Sequence, residues 1–149
     1  MIISICGDNK YKNILINKFK EKYKDAVVEC DYFHIKFNSV INTEKYKYEL
    51  LDSSSSLEKA RLEYSNVVDN TVKERINNFL EVNKDKIIIL ISDEILNPCF
   101  YDTEYFMNSD IKILAVNENI DDINYDKSLF DYVYNDISCI DVRKLVRKW

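Results

Sequence analysis

The sequence predicts a three-layer α/β/α domain built on a five-stranded parallel sheet. Five short apolar segments rich in isoleucine and valine alternate with longer segments of helical periodicity, a pattern typical of parallel sheets covered by helices. The strongest segment, 86–92, is an unbroken apolar run between Lys86 and Ser92, as expected for an interior parallel strand. No internal repeat and no long linker divides the chain, so we expect one domain spanning residues 1–149.

Composition excludes several classes of protein. The 149 residues, 46% of them apolar, suffice for a sizeable core. No apolar run reaches the length of a membrane helix, and no basic segment precedes a long apolar one near the N-terminus, so we expect a cytoplasmic protein without a membrane partner. The net charge of −5 and the scattering of its 21 basic residues disfavour nucleic acid as a partner.

The first 30 residues predict a strand, a turn, a helix and a second strand. Residues 2–6 and 26–30 are the strands, and 12–24 is an amphipathic helix in which Leu15, Phe19 and Tyr23 recur every four residues. The lysines between Lys18 and Lys24 are expected to form a solvated face.

The rest of the chain predicts two more helices and three strands. The apolar pattern weakens over 36–66, where a run of four serines predicts a loop leading into a helix from about Leu57, and the periodicity becomes regular over 67–82. Strands are predicted at 86–92, 111–116 and 131–134. Ser138 and Asp141 predict a capping box for a last helix.

The single glycine of the chain stands where a phosphate loop would begin. A phosphate cradle of the form G-x-x-x-x-G-K-[ST] lets backbone N–H groups, a lysine and a hydroxyl converge on phosphates and Mg²⁺. The stretch from Gly7 to Ile14 reads GDNKYKNI, with the opening glycine but without the closing Gly-Lys-Ser. Gly7, Lys10, Lys12 and Asn13 are therefore candidate phosphate-binding residues at a helix N-terminus.

Acidic residues follow two of the predicted strands. Asp31 comes after the second strand, and the carboxyl ends of parallel strands face the ligand crevice, so Asp31 is the candidate catalytic carboxylate. The alternative is a helix N-cap, which aspartate also favours. Asp93 and Glu94 follow the third strand, where a Mg²⁺-holding acid would stand, or else they begin the next helix or loop.

The cysteines and the single histidine do not predict a metal site. Cys30, Asp31 and His34 are close in sequence, but spacing alone does not supply the geometry that a metal requires. The four cysteines lack C-x-x-C spacing, and we expect them to be reduced.

The order of these motifs resembles dephospho-CoA kinase, one of the P-loop small-molecule kinases. Residues 1–7 resemble its opening strand and first glycine, residues 29–31 its D-A-D element, and the helix containing Arg75 the one before its third strand. Residues 110–116 resemble its fourth strand, and residues 130–138 its A-D-x-V-I-x-N-x-G-S ending. The resemblance implies a P-loop, nucleoside-kinase-like fold, with ATP and Mg²⁺ as cofactors and a small phosphorylated ligand as partner.

The departures from this family fall on its catalytic parts. Aligned without a gap, the closing Gly, Lys and Ser/Thr become Lys12, Asn13 and Ile14; a one-residue deletion makes Lys12 the P-loop lysine but leaves Asn13 in place of the hydroxyl. The family's arginine-bearing lid corresponds to 117–129, which is short and acidic, with Lys127 as its only base.

Three classes of function follow. The departures favour a catalytically degenerate relative that binds nucleotides or anions without catalysis or acts as a regulator. The second class is a divergent ATP-dependent kinase of a nucleotide or small molecule, in which Lys10 or Lys12 replaces the usual lysine and Asp31 is the base or a magnesium ligand. The third is a structural or protein-interaction domain with an interface of tyrosines, notably Tyr46, Tyr48, Tyr101 and Tyr105.

Overall fold

A computed structural model of the chain describes residues 1–91, 103–116, 126–134, 136–138 and 140–147, apart from the side chains of three residues within these ranges. The chain divides into two compact units. One consists of residues 1–31 and 83–149 and is called the sheet unit; the other is residues 32–82 and is called the helical unit.

The described elements follow one another as α/β alternation predicts. In chain order they are β1 (Ile2–Gly7), α1 (Asn9–Tyr23), a 3₁₀ turn (Lys24–Ala26), β2 (Val27–Asp31), α2 (Tyr32–Ser53), α3 (Leu57–Val82), β3 (Ile87–Ile91), α4 (Glu104–Met107), β4 (Ile111–Ala115), a second 3₁₀ turn (Lys127–Leu129), β5 (Tyr132–Tyr134) and α5 (Val142–Leu145). Each predicted strand is present within one or two residues of its expected bounds.

The sheet unit is an all-parallel, five-stranded sheet in the order β2-β3-β1-β4-β5. The prediction of an α/β protein with a five-stranded parallel sheet is confirmed. β1 is the central strand, and its Ile5 lies beside Ile91 of β3 while its Gly7 lies beside Ala115 of β4. The apolar run of β3 is explained by its interior position, where both faces are covered.

Helices lie on both faces of this sheet. On one face Ile3, Ile5 and Ile89 pack in a core with Leu15 and Phe19 of α1, and the side chains of α5 join the same core. On the other face the hydroxyl of Ser4 hydrogen-bonds that of Ser109, just after α4, at 2.7 Å. Successive strand residues therefore alternate between the two helical layers.

The helical unit is a hairpin of two long helices. α2 and α3 pack along each other and are joined by residues 54–56, so the loop predicted from the serine run is present. The helix predicted from about Leu57 is present as α3, whereas the weak apolar pattern that begins at residue 36 gave no prediction of α2. The buried side chains of α2 include Ser39 and Thr43, whose hydroxyls donate to backbone carbonyls four residues earlier, at 2.7 Å each. Polar residues that satisfy their own hydrogen bonds in this way interrupt an apolar pattern without ending a helix.

The last helix begins later than the predicted capping box implies. Asp141 is itself the N-cap of α5 and accepts a hydrogen bond from the backbone N–H of Arg143 at 3.0 Å. Ser138 instead belongs to a turn, where its N–H donates to Asp136 at 2.9 Å. Among the described residues, no helix combines the length and apolar character that crossing a membrane requires.

Candidate site at the carboxyl end of the first strand

The connection between β1 and α1 is a single residue, Asp8. β1 ends at Gly7 and α1 begins at Asn9. The Asp8 carboxylate accepts a hydrogen bond from the N–H of Lys10 at 2.8 Å, as an N-cap does. The N–H of Asp8 donates to the carbonyl of Ala115 in β4 at 2.9 Å. The chain thus passes from strand into helix through one residue held at both its side chain and its backbone.

Gly7 is required by the packing of β1 on β4. Its φ is +128°, and a Cβ atom added there would lie 1.8 Å from the carbonyl oxygen of Ala115. No side chain fits at that distance, and non-glycine residues rarely adopt this φ. The glycine that the sequence offers as the start of a phosphate loop therefore has a steric function in the sheet.

Asp8 places a negative charge at the N-terminus of α1. The first turn of a helix exposes N–H groups and carries a partial positive charge, which attracts anions. Here the Asp8 carboxylate already occupies part of that position. A phosphate approaching the same turn would meet a group of like charge.

The candidate phosphate-binding side chains in this turn differ in their exposure to solvent. Lys10 and Asn13 are exposed and lie one turn apart on α1, whereas the side chain of Lys12 is only 2% exposed. A buried ammonium group is held by its neighbours within the protein, and Lys12 does have such interactions. The structure thus brings Gly7, Asp8 and Lys10 together. Phosphate binding by these residues stays a prediction.

Asp31 lies at the same edge of the sheet, two strands away from β1. It is the last residue of β2 and pairs with Ile91 of β3, which is level with Ile5 of β1. With neighbouring strands about 4.8 Å apart, β2 is roughly 10 Å from β1. Asp31 is partly buried and directly precedes α2. Both roles predicted for it, a carboxylate at the crevice and a residue that begins a helix, agree with this position.

Several sequence candidates lie outside the described residues or in the helical unit. Asp93, Glu94 and Tyr101 belong to the part of the chain that is not described. His34 is exposed on α2, where its Nε2 atom hydrogen-bonds the amide of Asn38 at 2.9 Å. Within the described ranges, no group of three or more His, Cys, Asp or Glu side chains could hold a metal ion.

The thiol next to Asp31 is not a reactive group. Burial of Cys30, together with the nearby charge of Asp31, raises the pKa of its thiol to about 12. A thiol with such a pKa is protonated at neutral pH and is neither a nucleophile nor a good metal ligand. Cys6 is also buried and reduced.

The solvated lysine face predicted for α1 is wrong for Lys18, which is half-buried, whereas Lys20, Lys22 and Lys24 are exposed. The ammonium of Lys18 donates to the carbonyls of Ile137 at 2.6 Å and Ser138 at 3.0 Å, and Lys20 pairs with Glu29 of β2. No local pattern signals these contacts, because Ile137 is 119 residues away from Lys18 in the chain.

A shallow cavity of about 300 Å³ lies beside Lys18. It is lined by Lys18, Glu21, Lys22, Ile140, Asp141, Val142 and Arg143. Asp141 hydrogen-bonds the guanidinium of Arg143 at 2.9 Å, which lowers the pKa of the Asp141 carboxyl. Because Lys18, Asp141 and Arg143 are engaged with protein groups, this cavity is a weaker candidate for ligand binding than the β1 junction.

Of the four tyrosines proposed for an interface, Tyr101 and the side chain of Tyr46 lie outside the described residues. Tyr48 is 60% exposed on α2, but Tyr105 is buried in the sheet unit and cannot contribute to a surface. The prediction is wrong for Tyr105, since sequence alone gave no sign that the four-residue α4 packs on the sheet.

Comparison with known proteins adds no relative. No protein-family model and no curated protein matches this sequence. The likeness to dephospho-CoA kinase therefore stays a resemblance of motifs.

Proposed function

We propose that this chain is a non-catalytic protein with the architecture of a P-loop kinase, similar to dephospho-CoA kinase, that acts by binding or regulation instead of phosphoryl transfer. The observation that carries the proposal is the one-residue connection at Asp8, whose carboxylate caps α1 at the position where a phosphate loop would hold its ligand. A kinase needs several backbone N–H groups directed at phosphate there.

The strand order supports the architectural part of the proposal. The order 2-3-1-4-5 differs from the Rossmann order 3-2-1-4-5-6 and from the flavodoxin order 2-1-3-4-5. Among the described residues, α1, which follows β1, packs on one face of the sheet, and Ser109, which follows α4 and precedes β4, contacts Ser4 on the other. Adjacent strands that lead to opposite faces define the crevice where open α/β sheets bind ligands.

The residues at this crevice do not fit a magnesium nucleotide. The lysine nearest to the family's position, Lys12, is buried, and the following Asn13 has an amide in place of a hydroxyl. Phosphoryl transfer depends on positioning and charge neutralisation, and a single arginine at the transferred group is worth about 10³ to 10⁵ in rate. Among the described residues, the Asp8 carboxylate at the phosphate position opposes charge neutralisation, so we derive no catalytic step for this site.

The proposal is tested with the full chain, ATP-Mg²⁺ and dephospho-CoA. We expect no ADP formation in a coupled assay, and weak binding of ATP in calorimetry. Asp8→Asn should strengthen ATP binding about tenfold, because asparagine keeps the cap and removes the repelling charge. Asp25→Asn is the matched control: it removes an exposed carboxylate beyond the other end of α1 and should leave ATP binding unchanged.

Two outcomes would contradict the proposal. ADP formation by the unmodified chain, lost in Asp31→Asn, would establish the divergent kinase instead, with exposed Lys10 as its cation. Equal ATP affinity of Asp8→Asn and the unmodified chain would show that Asp8 does not exclude phosphate from α1.

A further inference from the structure

Among the described residues, three backbone carbonyl oxygens converge on the ammonium group of Lys18. They belong to Ile137 at 2.6 Å, Ser138 at 3.0 Å and Ile140 at 3.5 Å, and they are called the carbonyl cradle. An ammonium group has three N–H donors, so the cradle matches it in number. The cradle is therefore a set of neutral oxygen atoms arranged around one positive charge.

The turn that carries the cradle is shaped by hydrogen bonds that do not involve Lys18. Asp136 accepts from the N–H of Ser138 at 2.9 Å and from its hydroxyl at 2.5 Å. The N–H of Ile140 donates to the carbonyl of Ile137 at 3.3 Å, and the side chain of Ile137 is buried in the core of the sheet unit. The turn thus holds the three oxygens near one another, and the lysine adds the positive charge.

Oxygen atoms held together in this way are stabilised by a cation. Carbonyl oxygens carry partial negative charges, so they repel one another when they converge with no positive charge between them. Lys18 is half-buried, and solvent screens such interactions less there than on an open surface. Potassium channels also use carbonyl oxygens to replace the hydration shell of a monovalent ion. Because an ammonium group and a potassium ion have the same charge and a similar size, a cradle that fits one should fit the other.

We propose that the carbonyl cradle is a site for a monovalent cation, and that Lys18 is the cation which this chain supplies to it. Ca²⁺ and Mg²⁺ are less suitable ligands, because proteins bind them with carboxylate groups and the oxygens of the cradle are uncharged. Potassium or ammonium ions should enter the cradle when the lysine side chain is removed. The proposal concerns the sheet unit and is independent of the function proposed for the β1 junction.

The cavity beside Lys18 connects the cradle to solvent. Four other charged side chains line this cavity. Asp141 and Arg143 bond to each other, and Glu21 and Lys22 are exposed and opposite in charge. Since the charges within each pair offset one another, neither pair adds a net charge beside the cradle.

Lys18→Ala empties the cradle and tests the proposal. The stability of the full chain is measured by urea denaturation in about 0.2 M KCl, NH₄Cl or choline chloride, so that ionic strength and anion are the same. A potassium ion with a dissociation constant of about 20 mM raises the ratio of folded to unfolded protein about tenfold at that concentration. We therefore expect this ratio to be about tenfold higher for Lys18→Ala in KCl or NH₄Cl than in choline chloride, whose cation is too large for the cradle. The unmodified chain should not distinguish the salts, because its tethered ammonium already occupies the site.

Two variants are matched controls. In Lys18→Met the longer side chain fills the space of the lysine stem, and a thioether is a poor ligand for potassium, so this variant should be equally stable in all three salts. Lys22→Ala removes an exposed lysine from the same helix and should also be equally stable in them. Hydrogen exchange followed by mass spectrometry locates the effect: KCl should slow exchange in residues 136–147 of Lys18→Ala but not of Lys18→Met.

The stability of the variants in the three salts decides the proposal. Equal stability of Lys18→Ala in all of them would overturn it and would make Lys18 a tether without a cation site. The same preference for KCl in Lys18→Met or Lys22→Ala would locate potassium binding elsewhere in the chain and would also overturn it. If Lys18→Ala is unfolded in choline chloride, folding in KCl supports the proposal, and failure to fold in KCl contradicts it.

Discussion

At the scale of single residues, Gly7 and Asp8 together form the direct connection from β1 to α1. Gly7 lets β1 lie against the backbone of Ala115, and the next N–H, that of Asp8, donates to the carbonyl of Ala115. Asp8 then begins α1 at once. A tight strand-to-helix passage therefore follows from two adjacent residues with different physical tasks.

Gly7→Ala tests the steric part of this account. The new methyl would overlap the Ala115 carbonyl, so the strands must separate or the backbone must change φ. We expect the free energy of unfolding to fall by about 3 kcal/mol or more, as measured by urea denaturation.

Asn13→Ala is the control for that experiment. Asn13 is exposed in α1, and alanine is the better helix former, so its stability should be unchanged or slightly higher. A Gly7→Ala variant as stable as this control would show that the contact with β4 is not closely packed.

The position of a single residue could be predicted from the sequence where its residue type has few structural roles. Gly7 and Asp31 stand at the ends of apolar runs, and the structure places both at the carboxyl edge of the sheet. Lys10 and Lys12 are the same residue type two positions apart, and one is exposed while the other is buried. Which of the two lysines is buried depends on how α1 is rotated about its own axis against the sheet. That rotation depends in turn on where the helix begins. Because α1 begins at Asn9, three residues before the predicted start, the orientation of these side chains could not be derived.

At the scale of elements, Lys18 connects α1 to the segment that precedes α5. Its ammonium reaches the carbonyls of Ile137, Ser138 and, at 3.5 Å, Ile140. A charged donor to buried or partly buried carbonyls is worth more than a neutral one. This one side chain therefore helps to hold the C-terminal segment on the α1 face of the sheet.

Lys18→Met should release that segment. Methionine keeps most of the apolar stem and removes the donor, so we expect a loss of about 1 to 2 kcal/mol in unfolding free energy. Hydrogen exchange should accelerate mainly in residues 136–147, as followed by mass spectrometry. Lys22→Met, a neighbouring exposed lysine of α1, should change neither quantity. Uniform acceleration throughout the sheet unit would mean that Lys18 supports the whole core instead of one segment.

Elements with a regular apolar period were predicted and the others were not. The β3 run and the regular part of α3 are long enough to identify from sequence. α2 was missed because its buried positions include Ser39 and Thr43, while its exposed positions carry Phe37 and Ile41.

At the scale of the whole molecule, the parallel sheet was predictable but its strand order was not. Alternating strands and helices imply parallel pairing through crossovers. The order 2-3-1-4-5 depends on contacts such as Ile3 with Ile111 and Ile3 with Ile89, which join distant parts of the chain. No local pattern records which strand is the neighbour of β1. The two-unit division is likewise a property of contacts, not of composition.

The strand order predicts how protection against hydrogen exchange is distributed. β1 is paired on both sides, and Ile3 and Ile5 are 0% exposed, so their amides should exchange only through global unfolding. β5 is a three-residue edge strand in which Tyr132 is 40% exposed. We expect amides 132–134 to exchange through smaller openings, with free energies at least 2 kcal/mol lower in native-state exchange with increasing denaturant. Equal values for both strands would indicate that the sheet opens as one unit.

The close approach at Gly7 also limits how the strands can align while the chain folds. If β1 slipped by one residue along β4, Cys6 or Asp8 would have to take the place of Gly7 beside Ala115, and residues with a Cβ rarely adopt the φ of +128° that this close approach uses. A slip would also exchange the two faces of the strand. The single glycine thus helps to fix the register of the central strand against its neighbour. The chain has no second glycine that could take its place in a shifted pairing.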